Sequence, residues 1–127
     1  MLATDFGDAT GPRAISLVLP GDMGKDAGMI VRVSEARVRP DRLDEFMSAL
    51  HQLVAGFPAR FDGLIGHEVL VDDADPTTVQ YVTRWRDEAA LVGYAGPGWR
   101  TDAVTFPGER DLLLEPLALR HLVVTEA

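Results

Sequence analysis

From Val79 the chain alternates: Val79, Tyr81, Thr83 and Trp85 fall on one side, Gln80, Val82, Arg84 and Arg86 on the other. A two-residue period rich in β-branched and aromatic side chains predicts a strand. The rhythm breaks at Asp87, which can cap a helix, and Ala89, Ala90 and Leu91 are good helix formers. Gly96-Pro97-Gly98 stops that helix near residue 95. Upstream, Leu43, Phe46, Met47, Leu50, Leu53, Val54 and Phe57 recur at three- and four-residue steps, which predicts an amphipathic helix over 41–57. Pro40 holds Arg39 extended, Asp41 is the expected cap, and Pro58 limits continuation. Strands are expected at Met29–Val38, Leu64–Val71, Thr78–Trp85 and Leu117–Val124, with a charged turn at Asp72–Thr77. A further helical turn is expected within Trp99–Val104.

From Met29 the order is strand, helix, strand, strand, helix, strand. That order predicts an α+β, ferredoxin-like βαββαβ fold with a four-stranded antiparallel sheet and two helices on one face. Val82, Leu122 and Val124 would leave the other face partly apolar. Such a face asks for cover, and a second copy related by a two-fold axis is the simplest cover. Residues 1–28 are rich in Gly and Asp. They read as an N-terminal arm, either loose or contributing one extra strand through Ala14–Leu19, ahead of a domain at 29–127.

Charge narrows the partners. The 127 residues carry a net charge of −8, Lys25 is the only lysine, and there is no cysteine. Nucleic acid and anionic membrane are disfavoured, and disulfides and sulfur-ligated metals are excluded. No apolar run approaches the ~20 residues of a membrane helix. The N-terminus lacks the basic start of a secretory signal, so a cytoplasmic protein is expected. Asp72, Asp73 and Asp75 lack the ligand pattern of a calcium loop, and no metal site is expected.

Three histidines are the candidate bases. His67 is expected in step with Ile65, Val69 and Val71, and His121 with Leu119 and Val123, so both sit among apolar neighbours. His51 falls on the wet helix face. Tyr81 and Trp85 share the face of the two strand histidines and can stack on a flat substrate, with a phenol to orient its oxygen. Tyr94 and Trp99 flank the Gly96–Gly98 break, where Trp99 can act as a lid. Ser34 adds a polar contact.

The stretches RPDRLDEF, GLIGHEVLVDDADPTTVQYVTRW, RDEAALVGYAGPGW and LALRHLVV, in this order, resemble the antibiotic biosynthesis monooxygenase family of dimeric α+β barrels, over residues 29–125. Family members include cofactor-independent oxygenases of aromatic polyketides and haem-degrading enzymes. Trp85 matches the strand-end Trp of the polyketide oxygenases, but their Asn and Tyr positions hold Tyr81 and Leu91 here. The haem enzymes' Asn, Trp and His positions correspond to Ser34 or Glu35, Tyr94 and Val104, so haem degradation is not expected. The resemblance implies a homodimer that acts on an aromatic, polyketide-like molecule without a cofactor. His67 is the expected base, with His121 and Tyr81 beside it, and Trp85, Tyr94, Trp99 and Ser34 shape the slot. The alternatives are a non-catalytic binding or accessory domain for a hydrophobic metabolite, and an isomerase or cyclase using the same pocket.

Overall fold

The computed structural model describes residues 28–125; the expected arm and its Ala14–Leu19 strand lie outside them. The elements run β1 (Ile30–Arg37), α1 (Leu43–Ala55), the single turn α2 (Phe57–Arg60), β2 (Leu64–Val71), β3 (Thr78–Trp85), α3 (Glu88–Ala95) and β4 (Ala118–Val123). The sheet order is β2-β3-β1-β4, and all three pairings are antiparallel. This is the expected split βαββαβ arrangement.

Local chemistry explains most boundaries. Phe46, Leu50 and Val54 of α1 are buried at four-residue steps, one stripe against the sheet. Asp41 does not cap α1. It lies in a 3-10 turn, Pro40–Arg42, that feeds the helix with no side-chain cap. Pro58 stands in the first turn of α2, where a missing N–H costs nothing, so a short second helix follows Gly56. Asp87 does cap α3, accepting from the Ala90 N–H at 2.9 Å. Gly96 ends α3 at φ 88°, a backbone that side chains resist. No helix forms at Trp99–Val104; a 3-10 turn, Glu109–Leu112, comes later.

Register decides what faces the helices. Ile30, Arg32, Ser34 and Ala36 of β1 pair with Trp85, Thr83, Tyr81 and Val79 of β3, and these eight line the helix-covered face. His121 sits opposite Arg32 and Leu119 opposite Ser34. His67 pairs with Thr83 and joins the same face, but not with Ile65. A bulge between Leu64 and Gly66 shifts the register, so Leu64 takes the inner position and Ile65 is 53% exposed. The core has two parts. One surrounds Phe46, Leu50, Phe57 and Tyr81; the other gathers Ile30, Trp85, Leu91 and Trp99.

Candidate functional site

At the centre of the inner face, two cross-strand pairs put Arg32 beside Thr83 and Ser34 beside Tyr81. These four polar side chains floor a small cavity. Phe46, Leu50 and Leu53 from α1, Tyr94 from α3, and Val104 and Leu117 from the later segment complete its wall with Glu109. Its volume is about 20 Å³, room for roughly one water. Glu109 and Leu117 also border a second, more open depression of about 510 Å³ on the 101–117 segment. That volume falls in the range of small-molecule pockets.

The floor is ordered by hydrogen bonds. The Tyr81 hydroxyl lies 2.7 Å from His67 Nδ1, which links the cavity to a half-buried imidazole on the neighbouring strand. Burial pushes the Tyr81 phenol well above its ordinary range and lowers the His67 pKa. Tyr81 therefore stays un-ionised while His67 stays neutral, the state in which a histidine accepts a proton. Tyr94 is also pushed up by burial, to about 12, with the Arg32 charge opposing.

Arg32 is 3% exposed. Its Nη1 donates to the Trp99 carbonyl at 2.7 Å and reaches His121 Nε2 at 3.2 Å, and its Nη2 donates to the Asp102 carbonyl at 2.7 Å. A guanidinium only donates, so His121 accepts at Nε2 and is neutral. Burial first, then Arg32 and Arg100, lower the His121 pKa in agreement. Glu109 is 5% exposed; one of its oxygens accepts from the Phe106 N–H, and burial raises its carboxyl pKa.

The expected site residues therefore divide. Tyr81, Tyr94 and Ser34 line the cavity. His67 reaches it through Tyr81, and His121 through Arg32. Trp85 does not line it. Trp85 is fully buried, stacked on Tyr94 with ring centroids 4.7 Å apart, and its Nε1 donates to Thr83 at 2.7 Å. Trp99 is also outside the lining: it packs edge-on to His121 at 4.8 Å, and its carbonyl is held by Arg32. His51 is exposed, and Arg86 makes exposed ion pairs with Asp62 and Asp87. Asp72 and Asp75 bond their own turn, and among the described residues no three His, Cys, Asp or Glu gather as a metal site. Also among them, no helix is long and apolar enough to cross a membrane. The sequence reading missed Arg32 and Glu109. The only signal for Arg32 was its phase with Ile30 and Ala36; Glu109, in an irregular segment, gave none.

Solved structures share this architecture. A conserved protein from Methanosarcina mazei Go1 is 20% identical with a TM-score of 0.63, covering 76% of this chain and 92% of its own. Protein SO0527 from Shewanella oneidensis is 20% identical with a TM-score of 0.65, covering 79% and 94%. A Caulobacter crescentus CB15 protein, provisionally named an antibiotic biosynthesis monooxygenase, is 16% identical with a TM-score of 0.66, covering 84% and 98%. At these identities the likeness establishes the fold. No curated protein sequence matches. The family model described as antibiotic biosynthesis monooxygenase matches residues 29–96, over half of the chain, and so the protein belongs to that family.

Proposed function

We propose that this protein is a monooxygenase-like enzyme that binds a flat, hydrophobic phenolic or polyketide-like molecule and oxygenates it without a metal or flavin. The observation that carries this reading is the Tyr81–His67 pair, 2.7 Å apart, with its phenol end in a largely apolar-walled cavity and its imidazole end outside the lining. An activated C–H or O–H of the substrate gives its proton to the Tyr81 oxygen as the Tyr81 proton passes to His67 Nδ1. The substrate becomes an electron-rich anion able to reduce dioxygen. For an activated methylene, one oxygen atom replaces its two hydrogens and the other leaves as water with both. The substrate supplies all the electrons, and the His67 proton is returned as water forms. General-base help of this kind is worth ~10²–10⁴-fold.

The substrate body is assigned to the larger depression, with its reacting edge reaching past Glu109 and Leu117 toward Tyr81. The face of the sheet away from α1 and α3 is assigned to a second copy of the chain. The inner cavity's size favours one second reading: a space of about 20 Å³ also suits a domain that holds a ligand in the outer depression and does no chemistry.

Oxygen uptake with a panel of anthrones and hydroquinones tests the proposal. Uptake is expected from the parent protein, reduced on the order of 10²-fold in His67→Ala and in Tyr81→Phe. Quenching of Trp fluorescence without turnover supports the binding reading. Product formed under argon supports an isomerase or cyclase.

A further inference from the structure

Arg32 presents a charge that the described residues do not neutralise. It lies in the middle of β1 and lines the inner cavity, yet no carboxylate stands within 4 Å of it among them. Its partners there are two carbonyls, a neutral imidazole and the face of the Tyr94 ring, 5.8 Å from the guanidinium carbon. Asp102 contributes only a longer-range attraction beyond its carbonyl, and Glu109, on the same cavity wall, is driven toward its neutral form by burial. A buried charge left with neutral acceptors alone is costly, which asks for a compensating anion.

The donors of Arg32 are also incompletely used. A guanidinium has five N–H donors. The three contacts take both hydrogens of Nη1 and one of Nη2, leaving the Nε–H and one Nη2–H without a partner among the described residues. Ser34 and Thr83 bring hydroxyls to the same floor, and the Thr83 oxygen already accepts from Trp85, so its hydrogen is available to donate. Donors on the floor and room for about one oxygen atom describe a place for the anionic oxygen of a ligand whose ring lies in the larger depression.

We infer that the cavity is an anion subsite in which Arg32, with Ser34 and Thr83, receives the carboxylate or phenolate oxygen of an aromatic ligand. This rests on the reading of the cavity as the ligand site. It adds a substrate class, acids over neutral aromatics, and a specificity-determining residue. The chain's net charge of −8 gives anions no general attraction, so any preference for an anion has to come from a local cation.

The test is equilibrium binding of 2-naphthoate, 2-naphthamide and 2,4-dinitrophenolate to the full chain, by calorimetry. The anions are expected to bind at least ~10-fold more tightly than the amide, with the preference lost in Arg32→Gln and reduced in Arg32→Lys, whose ammonium cannot offer a planar fork. Naphthoate alone showing Arg32-dependent binding identifies a carboxylate ligand; dinitrophenolate alone identifies a phenolate. Should Arg32→Gln not fold, the parent protein decides: its Arg32 Nε–H resonance shifts on adding the anions and not the amide. Equal binding of anions and amide, a preference that survives Arg32→Gln, or an Nε–H signal indifferent to the anions overturns the inference. Uptake of oxygen dependent on His67 and Tyr81, without any anion preference, would remove the subsite and leave the oxygenase reading. Arg32-dependent anion binding without oxygen uptake would do the reverse.

Discussion

Glu109 is a carboxyl group kept for its shape more than its charge. Its oxygen accepts the Phe106 N–H at 3.0 Å, inside a wall shared by both cavities. Burial raises its pKa in the fold, while the unfolded chain ionises near the ordinary value. Above that value the unfolded state therefore holds fewer protons than the native one, and stability falls as pH rises through the folded pKa. His67 and His121 slope the other way, because their lowered pKa values make stability rise with pH just below the ordinary histidine range. Glu109→Gln keeps the acceptor oxygen and removes the ionisation. Thermal melts across pH 4–8 should show the variant matching the parent at the acid end and exceeding it near pH 8. A difference that stays flat over that range would mean Glu109 does not titrate in the fold. At this scale the sequence was only partly readable. Tyr81 lines the cavity on the strand phase read for it, and Ser34 and Tyr94, expected there as a polar contact and as a flank of the Gly96–Gly98 break, line it too. Arg32 was hidden because Val31 and Val33 drew attention to the opposite phase of the same strand, and an arginine on an inner face contradicts the usual pattern.

Between elements, the docking of α3 on the β2–β3 end is set by one glycine. A Cβ built on Gly63 would fall on the Cβ of Ala90, so α3 sits as close as two backbones and one methyl permit. That approach lets Leu91 reach full burial and lets Tyr94 stack on Trp85. Gly63→Ala should destabilise by ~1–3 kcal/mol, the usual range for overpacking. Ala90→Gly should cost about 1 kcal/mol through helix propensity alone. The double variant should then be more stable than the sum of the two losses predicts, because the glycine at 90 relieves the clash. Denaturant titration of all four proteins gives the coupling, and additive losses would show that the approach is not the constraint. Element order was legible because punctuation agreed with period: Asp87 caps α3 and Gly96 ends it. The β2 bulge was not, since a run such as Leu64-Ile65-Gly66 contains no signal for which residue is extra. The exchange of Ile65 for Leu64 on the inner face follows from pairing with β3.

Across the whole molecule, the two faces of the sheet are unequal. One is closed by α1 and α3. The other carries Val31, Val33, Val82 and Leu122; Leu122 is 45% exposed, whereas Val82, expected to lie open, is only 9% exposed, and Gln80 donates to Glu35 across the same face at 2.8 Å. The alternation that marked this face in the sequence follows from the strand period, so its partly apolar character was legible there. The chemistry of the cover was not, because apolar surface attracts without direction. If a second copy covers it, placing a charge within that contact should be costly. Leu122→Glu is expected to convert a dimer to a monomer in light scattering while leaving the circular dichroism of the chain intact. Two chains of net charge −8 also repel one another, so raising the salt concentration should tighten the parent dimer by screening that repulsion. A parent protein that sediments as a monomer at every salt concentration would sink the assignment of this face to a second copy. The Tyr81–His67 pair, which lies on the opposite side of the sheet, would be untouched by that outcome.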